Sequence, residues 1–369
     1  MGGFITGNIN SCTNKGDVTY NGKVTIGTDG TTNIGGVIGT QGGSSFLNSS
    51  NEGNVTFDGE TSGALYMGGC VGYSTAALTI TDVSNVGTIT VAKDAICAKA
   101  NCIGGVVGYA SKGGTLTRVA NASKTGVKYG IVFSRQASST GGGSEIRIAG
   151  IFSRTGGLVT TVERVTNSTG IRFDGYQLGT GGLSIGGLFG LLSNSVHVFG
   201  GLVHNSGEIY YTGRCPKSNF GLGGCFASSG SKAPAANFEN IVNTGDVNVF
   251  KKFDDSYPYD LNKKSMQIAG IGNVSAGSSM ANATCYCNLY VEDAYSEREI
   301  DGVLYVNSYG FITGLPRNAT APQLSNCKVG GMLVSHWDYT DIVPTPRGEL
   351  ITESNYTEYI YGGTTDWTG

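Results

Sequence analysis

The sequence predicts an all-β protein that folds as a right-handed parallel β-helix, or β-solenoid, of about nine coils. Glycine accounts for 61 of the 369 residues, well above its usual share. Hydrophobic residues still make up 39% of the chain, so it holds enough apolar side chains for a core and differs from a disordered, low-complexity segment. Two short motifs also alternate along most of the chain, which is typical of a stack of repeated coils.

The first motif is a glycine pair followed by two apolar residues and usually another glycine. Its clearest copies begin at Gly35, Gly68, Gly104 and Gly186. Weaker copies begin at Gly2, Ala149, Gly223, Ala269 and Gly330. The second position of the pair recurs every 33 to 46 residues as far as Gly270, and the interval before Gly331 is 61 residues. We expect the pair to let neighbouring backbones approach closely, or to form a bulge, before the apolar residues.

The second motif places Asn-x-Gly between an apolar residue and a β-branched residue, as in the segment from Cys12 to Val18. Asparagine and glycine both tolerate left-handed backbone angles, so this motif predicts a sharp corner. In the first units we predict strands at residues 17–25, 33–39 and 45–48. Stacked coils would align the corner asparagines in a side-chain ladder of Asn14, Asn51, Asn85, Asn121, Asn167, Asn205 and Asn243.

Two other folds are alternatives to the solenoid. A β-propeller has four strands in each repeat, and these units are too short and too rich in glycine for four strands. The Trp-Asp signature of common propellers is also missing from the sequence. Separate β-sandwich domains are the remaining alternative.

Charge and hydropathy exclude several classes of function. The net charge is -3, and no segment clusters lysine and arginine, so we expect no nucleic-acid partner. No apolar run approaches the roughly 20 residues that span a bilayer, so we expect no membrane span. The first residues do not resemble a secretion signal. We expect the protein to be exported by a signal that this sequence lacks, and we expect Met1 to be an added residue.

The nine cysteines lack the spacing of a metal site, and the chain has only three histidines. We therefore predict no metal site and no cofactor. Cys70 and Cys225 fall at apolar positions of the first motif, which predicts that most cysteines are buried thiols. Cys97 and Cys102 form the best candidate for a disulfide.

The repeats resemble the GLUG motif of bacterial surface proteins, which occurs in adhesin-like proteins of gut Bacteroidota and beside IgA-cleaving metallopeptidases. The most similar copy is Gly186-Gly187-Leu188-Phe189-Gly190, and the resemblance extends over roughly residues 2 to 335. It implies an exported protein of the cell surface that is adhesive or structural. It does not imply peptidase activity, because none of His197, His204 and His336 begins a His-Glu-x-x-His motif.

A long insert after the corner at Asn243 is the candidate ligand-binding site, because insertions on a solenoid often carry function. It combines aromatic rings and carboxylates, which stack on sugars and hydrogen-bond to them. The candidate residues are Phe250, Phe253, Asp254, Asp255, Tyr257, Tyr259 and Asp260. In the alternative, the aromatic rings fold back onto the flank of the solenoid. Calcium at Asp254, Asp255 and Asp260 is a further alternative, although their spacing matches no defined calcium loop.

Many β-helices are polysaccharide lyases or hydrolases, which need clustered carboxylates on adjacent coils. The acids of the regular coils are scattered here. Asp17 and Asp246 share the position after the corner glycine, but intervening copies carry Asn54, Thr88 and Glu208 there, which indicates a solvated column. His197 and His204 flank one strand, and an exposed or packed histidine is the simpler interpretation. We predict no catalytic residues.

The ends of the chain depart from the repeat. Residues 1–334 are assigned to the solenoid, and residues 335–369 to an irregular cap or a small appended segment. The first coil begins abruptly, which fits either lost preceding coils or end-to-end self-association. We therefore expect an extracellular, non-catalytic adhesive or structural protein that binds a host or microbial glycan or a surface protein through its inserts. The alternatives are a self-assembling filament or fibre subunit and a β-helix polysaccharide lyase or hydrolase.

Overall fold

A computed structural model describes residues 2–25, 30–136, 145–157, 159–177, 181–192, 201–213, 215, 220–228, 237–250, 266–274, 278–291, 297–300, 303–306, 308–314, 323–336 and 346–351. Regular secondary structure in these ranges consists of β-strands joined by turns and bends. Within them, no helix is long and apolar enough to cross a membrane.

The first two sheets lie on either side of the Gly-Gly motif. Sheet 1 has eight strands, at Thr31–Gly35, Ala64–Gly68, Asn101–Gly104, Ile146–Ala149, Leu183–Gly186, Phe220–Gly223, Met266–Ala269 and Ser308–Gly310. Sheet 2 has seven, at Gly2–Ile5, Ile38–Gln41, Val71–Ser74, Val107–Ala110, Phe152–Thr155, Phe189–Leu192 and Phe226–Ser228.

The next two sheets lie on either side of the Asn-x-Gly corner. Sheet 3 comprises Ile9–Asn10, Thr13–Asn14, Ser45–Asn51, Leu78–Asn85, Gly114–Asn121, Val159–Asn167, Val203–Asn205, Ile241–Asn243 and Thr284–Tyr286. Sheet 4 comprises Val18–Tyr20, Val55–Phe57, Ile89–Val91, Tyr129–Phe133, Gly170–Phe173, Ile209–Tyr211, Val247–Val249 and Leu289–Val291. The strand Lys328–His336 pairs with the last strand of both.

Smaller strand groups complete the described chain. One three-stranded group contains Lys23–Val24, Glu60–Thr61 and Ile96–Cys97, and another contains Asn237–Glu239, Ser279–Ala281 and Gln323–Ser325. Glu297–Ile300 pairs antiparallel with Val303–Val306. Pro346–Ile351 pairs antiparallel with Lys328–His336, in the region predicted to form the cap. The rest of that region, 337–345 and 352–369, lies outside the described residues.

Neighbouring strands in the four main sheets come from successive coils and are parallel, as Phe46, Ile80 and Leu116 illustrate in sheet 3. This arrangement is a parallel β-helix, which confirms the predicted fold class. Propellers and sandwiches are built from antiparallel strands and are therefore excluded. The number of coils stays a prediction.

The core consists of apolar side chains stacked in columns along the solenoid. In sheet 4, Phe133 stacks on Phe173 at 5.1 Å, and Phe173 stacks on Tyr211 at 5.3 Å, with ring planes within 8° of parallel. Val55, Ile89, Ile131, Ile171 and Ile209 form a second, fully buried column of the same sheet. Each such side chain contributes about 1.5–3 kcal/mol by leaving water.

The Gly-Gly motif forms a corner with a bulge. The backbone N–H groups of Val37 and Ile38 both donate to the carbonyl oxygen of Cys70, at 3.0 Å each. A Cβ atom on Gly36 would collide with the Gly69 carbonyl of the adjacent coil and with the Asn51 side chain of its own coil. The predicted single strand at 33–39 is therefore wrong, because this corner divides it into one strand in sheet 1 and another in sheet 2.

The strand register shows that the first and last copies of the Gly-Gly motif do not form corners, contrary to the prediction. Gly2 pairs with Ile38, so Gly2-Gly3 lies after the corner rather than in it. Gly330 pairs with Tyr286 in sheet 3, far from the corner column. The last corner instead follows Gly310, which pairs with Ala269. Phe311 is tolerated there because, among the described residues, sheet 1 adds no further strand beyond this coil.

All nine cysteines lie in the described ranges, and none of them forms a disulfide there. Seven are buried, including Cys70 and Cys225, as predicted. The predicted disulfide between Cys97 and Cys102 is wrong. Cys97 belongs to the hydrophobic core, whereas Cys102 lies in sheet 1 outside that core cluster, so the turn between them separates the two thiols.

Candidate ligand-binding surface

The seven corner asparagines form a continuous hydrogen-bonded ladder. Each Nδ2 donates to the Oδ1 of the asparagine in the next coil at 2.8 or 2.9 Å, from Asn14 as far as Asn243. Most of these Nδ2 atoms also donate to the carbonyl two residues later, as Asn205 does to Gly207 at 2.9 Å. Cys285 takes the next position in the column. The buried amides are thus occupied by one another, and the ladder is structural rather than ligand-binding.

A second column near these corners was not predicted from the sequence. In most coils, the residue three places before the position of the ladder column has a positive φ of 46° to 57°. These residues are Ser11, Asn48, Asp82, Arg118, Arg164, Asn240, Asn282 and Asn326. Most are asparagine, aspartate or serine, so their fixed spacing from the ladder was a usable signal. The column is a bend within sheet 3, and its polar side chains pair along the surface, as Arg118 and Asp82 do at 2.6 Å.

Only one residue of the predicted insert site is described. Phe253, Asp254, Asp255, Tyr257, Tyr259 and Asp260 lie outside the described residues, and so does the alternative calcium site that three of them would form. Phe250 lies directly after the sheet 4 strand Val247–Val249, and its backbone N–H donates to the Tyr211 carbonyl at 2.8 Å. This bond fixes the start of the insert against the adjacent coil.

Phe250 belongs to a row of four aromatic rings on the outer face of sheet 4. The ring centroid of Tyr129 lies 5.9 Å from that of Tyr210, which lies 5.3 Å from Phe250. Phe250 in turn lies 4.7 Å from Tyr290. All four side chains are partly exposed. We call these four residues the aromatic row.

The rings of the aromatic row are inclined to one another. Their planes differ by 35° to 47°, whereas the buried stacks of the same sheet, such as Phe133 on Phe173, differ by 10° or less. Flat stacking covers both faces of a ring, and inclination leaves part of each face open to a planar or apolar ligand surface.

Polar groups border the aromatic row. The Glu208 carboxylate accepts from Asn248 at 2.6 Å and from the Tyr129 hydroxyl at 3.2 Å, and it pairs with Lys128 at 2.6 Å. Hydrogen bonding to Glu208 raises the pKa of Lys128, and burial raises the pKa of the Tyr129 phenol. The tyrosine is therefore a neutral hydroxyl and the lysine a cation at ordinary pH, so both can bind oxygen atoms of a ligand.

A glycine gives Tyr129 its place in the row. Tyr129 pairs with Gly170 in the adjacent strand, and a Cβ on Gly170 would lie 2.7 Å from Cδ1 of the tyrosine ring. Because Gly170 lacks that atom, the ring extends across this strand to reach Tyr210 in the strand beyond. Tyr210 and Tyr290 each occupy the middle of a three-residue strand whose outer residues are buried. That alternation was a usable sequence signal for outward rings.

The shared acidic position has a structural role. The Asp17 carboxylate accepts the Asn54 backbone N–H of the next coil at 2.8 Å, and Asp246 accepts that of Asn288 at 2.7 Å. Asn54 accepts the Thr88 N–H in the same way, at 3.1 Å. The column predicted to be merely solvated therefore also connects adjacent coils.

The histidines and acids form no metal cluster among the residues described here: no three His, Cys, Asp or Glu side chains lie close enough to hold an ion. The His204 Nε2 atom lies 2.9 Å from the Thr244 hydroxyl, and burial lowers the pKa of this imidazole. His197 lies outside the described residues, as does the side chain of His336.

Comparisons of the chain with protein-family models, with curated proteins and with solved structures find no match.

Proposed function

We propose that this chain is an extracellular, non-catalytic β-helix of a cell-surface adhesive protein, and that it binds a glycan through the aromatic row. The observation that carries the proposal is the row itself: Tyr129, Tyr210, Phe250 and Tyr290 are partly exposed, inclined and in contact. Sugars present apolar C–H faces that pack on such rings, and hydroxyls that bond to neighbouring polar groups.

The polar groups beside the aromatic row favour a carbohydrate ligand over a purely apolar ligand. Glu208, Asn248 and Lys128 place a carboxylate, an amide and an ammonium group beside the rings. The Tyr129 hydroxyl adds a phenol on the same side of the sheet. Together these groups donate to and accept from sugar hydroxyls without a large net charge.

Rigidity also supports binding at this surface. All four rings of the row lie on or directly after strands whose backbones pair with adjacent coils, as Tyr210 does with Asn248. A preformed site loses little conformational entropy when a ligand binds. The surface location and the adhesive role rest on the resemblance to GLUG repeats and on the composition, which suits an exported solenoid.

A glycan array followed by calorimetry tests the proposal. We expect the wild-type chain to bind one or more neutral glycans and Tyr210→Ala to bind them about tenfold more weakly, because central aromatic contacts dominate binding energy. Tyr286→Ala is the matched control, since this tyrosine is 48% exposed on sheet 3 outside the row. Equal binding by the wild type and Tyr210→Ala would remove the aromatic row from consideration.

The same experiment addresses the alternatives. The bound oligosaccharide should be recovered at its original length by chromatography, because the proposal includes no hydrolysis or elimination. A shortened product would instead favour the lyase or hydrolase alternative. The filament alternative stays a prediction, which size-exclusion chromatography over a range of protein concentrations tests.

A further inference from the structure

A second polar and aromatic surface lies at the Gly-Gly corner, between sheets 1 and 2. One column of sheet 1 side chains contains Asn33, Tyr66, Cys102, Arg147 and Ser184. The facing column of sheet 2 contains Thr40, Tyr73, Tyr109, Arg154 and Leu191. We call the surface between these columns the tyrosine–arginine cleft.

The two columns meet across the corner. Asn33 Nδ2 donates to the Thr40 hydroxyl at 2.9 Å, and the rings of Tyr66 and Tyr73 lie 5.2 Å apart. Side chains on a convex corner diverge, so these contacts show that the corner is concave on this side. The surface is therefore a cleft that follows the axis of the solenoid.

Three tyrosines line the cleft, one from sheet 1 and two from sheet 2. The rings of Tyr73 and Tyr109 stack at 5.4 Å, and the Tyr66 ring meets Tyr109 at 5.1 Å, edge to face. All three are partly exposed. Partial burial raises the pKa of Tyr66 to about 12 and also raises that of Tyr109. These phenols are therefore neutral donors at ordinary pH.

Two arginines continue the cleft along the axis. The Arg154 guanidinium lies 5.1 Å from the Tyr109 ring centroid, and Arg147 Nη1 donates to the Ser184 hydroxyl at 2.6 Å. Both arginines share one oxygen of Glu145, at 3.3 Å each. Charge-assisted bonds are usually about 2.7–2.9 Å, so a single carboxylate satisfies this arginine pair poorly.

The guanidinium groups keep unused donors. Arg147 is only 9% exposed, yet its Nε atom has no hydrogen-bond partner among the described residues. The Nε atom of Arg154 likewise lacks a partner in the described chain, and its side chain is 29% exposed. A buried donor without a partner is costly unless a ligand supplies the acceptor.

We propose that the tyrosine–arginine cleft binds a carboxylate-bearing sugar, namely a uronic acid residue of an acidic polysaccharide. Arg154 and Arg147 against Glu145 leave one net positive charge, which complements one carboxylate. The planar guanidinium of Arg154 pairs with the carboxylate, while the tyrosines contact the sugar ring and its hydroxyls. The cleft is separate from the aromatic row, so the two proposals can fail independently.

Calorimetry with oligogalacturonate tests this inference. Its fully methyl-esterified form is the matched probe, because it keeps the sugar chain and loses the charges. We expect the wild-type chain to bind the acid form, to bind the ester at least about tenfold more weakly, and to release the acid form as salt is raised. Arg154→Gln should weaken acid binding by about tenfold or more, since it removes a charged hydrogen-bond donor.

Two variants serve as controls. Arg172→Gln removes an exposed arginine of sheet 4, whose ion pair with Asp174 spans 3.0 Å, and should leave oligogalacturonate binding unchanged. The double variant Tyr210→Ala, Phe250→Ala removes the aromatic row and should also bind the acid form normally. Equal binding of acid and ester, no binding of the acid form by the wild type, or wild-type affinity in a folded Arg154→Gln variant would each overturn the proposal.

Discussion

Asparagine can be buried at six successive corners of this solenoid, from Asn51 to Asn243, because each amide supplies the next one with a hydrogen bond. Asn85, Asn167 and Asn205 are almost completely buried, where an unpaired amide would cost about 1–3 kcal/mol. The Oδ1 atom of each accepts from one coil and the Nδ2 atom donates to the next. Because every buried amide has hydrogen-bond partners, this column of polar side chains stabilises the fold.

The substitution Asn205→Asp tests this account of the ladder. It replaces the Nδ2 donor with an acceptor opposite Asn243 Oδ1 and the Gly207 carbonyl, and it buries a charge. We expect the free energy of unfolding to fall by about 3 kcal/mol or more near pH 7, measured by urea denaturation. Burial raises the pKa of the new carboxyl above its unfolded value, so the loss should diminish as the pH falls through that raised pKa and should be smallest below about pH 4, where both states are protonated.

Asn54→Asp is the control for that substitution. The Asn54 Oδ1 atom accepts the Thr88 N–H, and an aspartate oxygen accepts equally well, as Asp17 and Asp246 do at the same position of other coils. The unfolding free energy should change by less than about 0.5 kcal/mol. A similar cost for both variants would contradict a specific role for the ladder.

The ladder asparagines, the positive-φ residues and two cysteines show how much of the fold could be predicted from the sequence. The ladder followed from a regular Asn-x-Gly spacing, because one local corner geometry repeats in every coil. The positive-φ column recurs at the same distance from the ladder in most coils, but its residue types are mixed and include Arg118 and Arg164, which disguised it. Cys97 and Cys102 are close in sequence, yet a turn between two sheets separates their side chains, which spacing alone did not reveal.

Among the structural elements, the Gly-Gly corner determines how closely successive coils approach. A Cβ atom on Gly187 would collide with the Gly224 carbonyl and with the side chain of Asn205. The corner glycines and the ladder asparagines of one coil are therefore in direct contact, which explains why the two motifs alternate so regularly in the sequence. A change at either motif should affect the other.

Gly187→Ala tests the corner. We expect the variant to lose about 3 kcal/mol of unfolding free energy, because the added methyl group meets backbone that cannot move without separating two coils. Gly3→Ala is the matched control: no atom lies within 4 Å of the added Cβ there. Thermal unfolding followed by circular dichroism measures both, and equal melting temperatures for the two variants would contradict the close approach inferred at Gly187.

The same elements show why the aromatic row was not predicted as a unit. Only Phe250 was singled out, because the insert that follows it was visible in the sequence. Tyr129 and Glu208 lie 79 residues apart, and their contact depends on the lengths of the intervening inserts and on the space at Gly170. In regular coils, the spacing of the motifs predicts which residues pair in adjacent strands. In coils with inserts of unequal length, the contacts between side chains can be identified only from the structure.

At the scale of the whole molecule, the solenoid presents two surfaces of different chemistry on one rigid stack of coils. The aromatic row on sheet 4 has inclined rings and nearly balanced charge, and the tyrosine–arginine cleft between sheets 1 and 2 has a net positive charge. When one of two sites on a rigid body has bound a polymeric ligand, the effective concentration of that ligand at the second site increases. Such an arrangement suits adhesion to a polymeric glycan.

The dependence of affinity on glycan length tests the central claim most directly. Tyr129 to Tyr290 spans five neighbouring strands of sheet 4, or about 20 Å at roughly 4.8 Å per coil. Calorimetry with a length series of the best neutral glycan from the array should show affinity rising with each added sugar until the ligand covers the row, and then levelling off. In Tyr210→Ala the rise should stop earlier, because the row is interrupted. Affinity that is independent of length in the wild type, or an unchanged length dependence in Tyr210→Ala, would contradict glycan binding along the aromatic row.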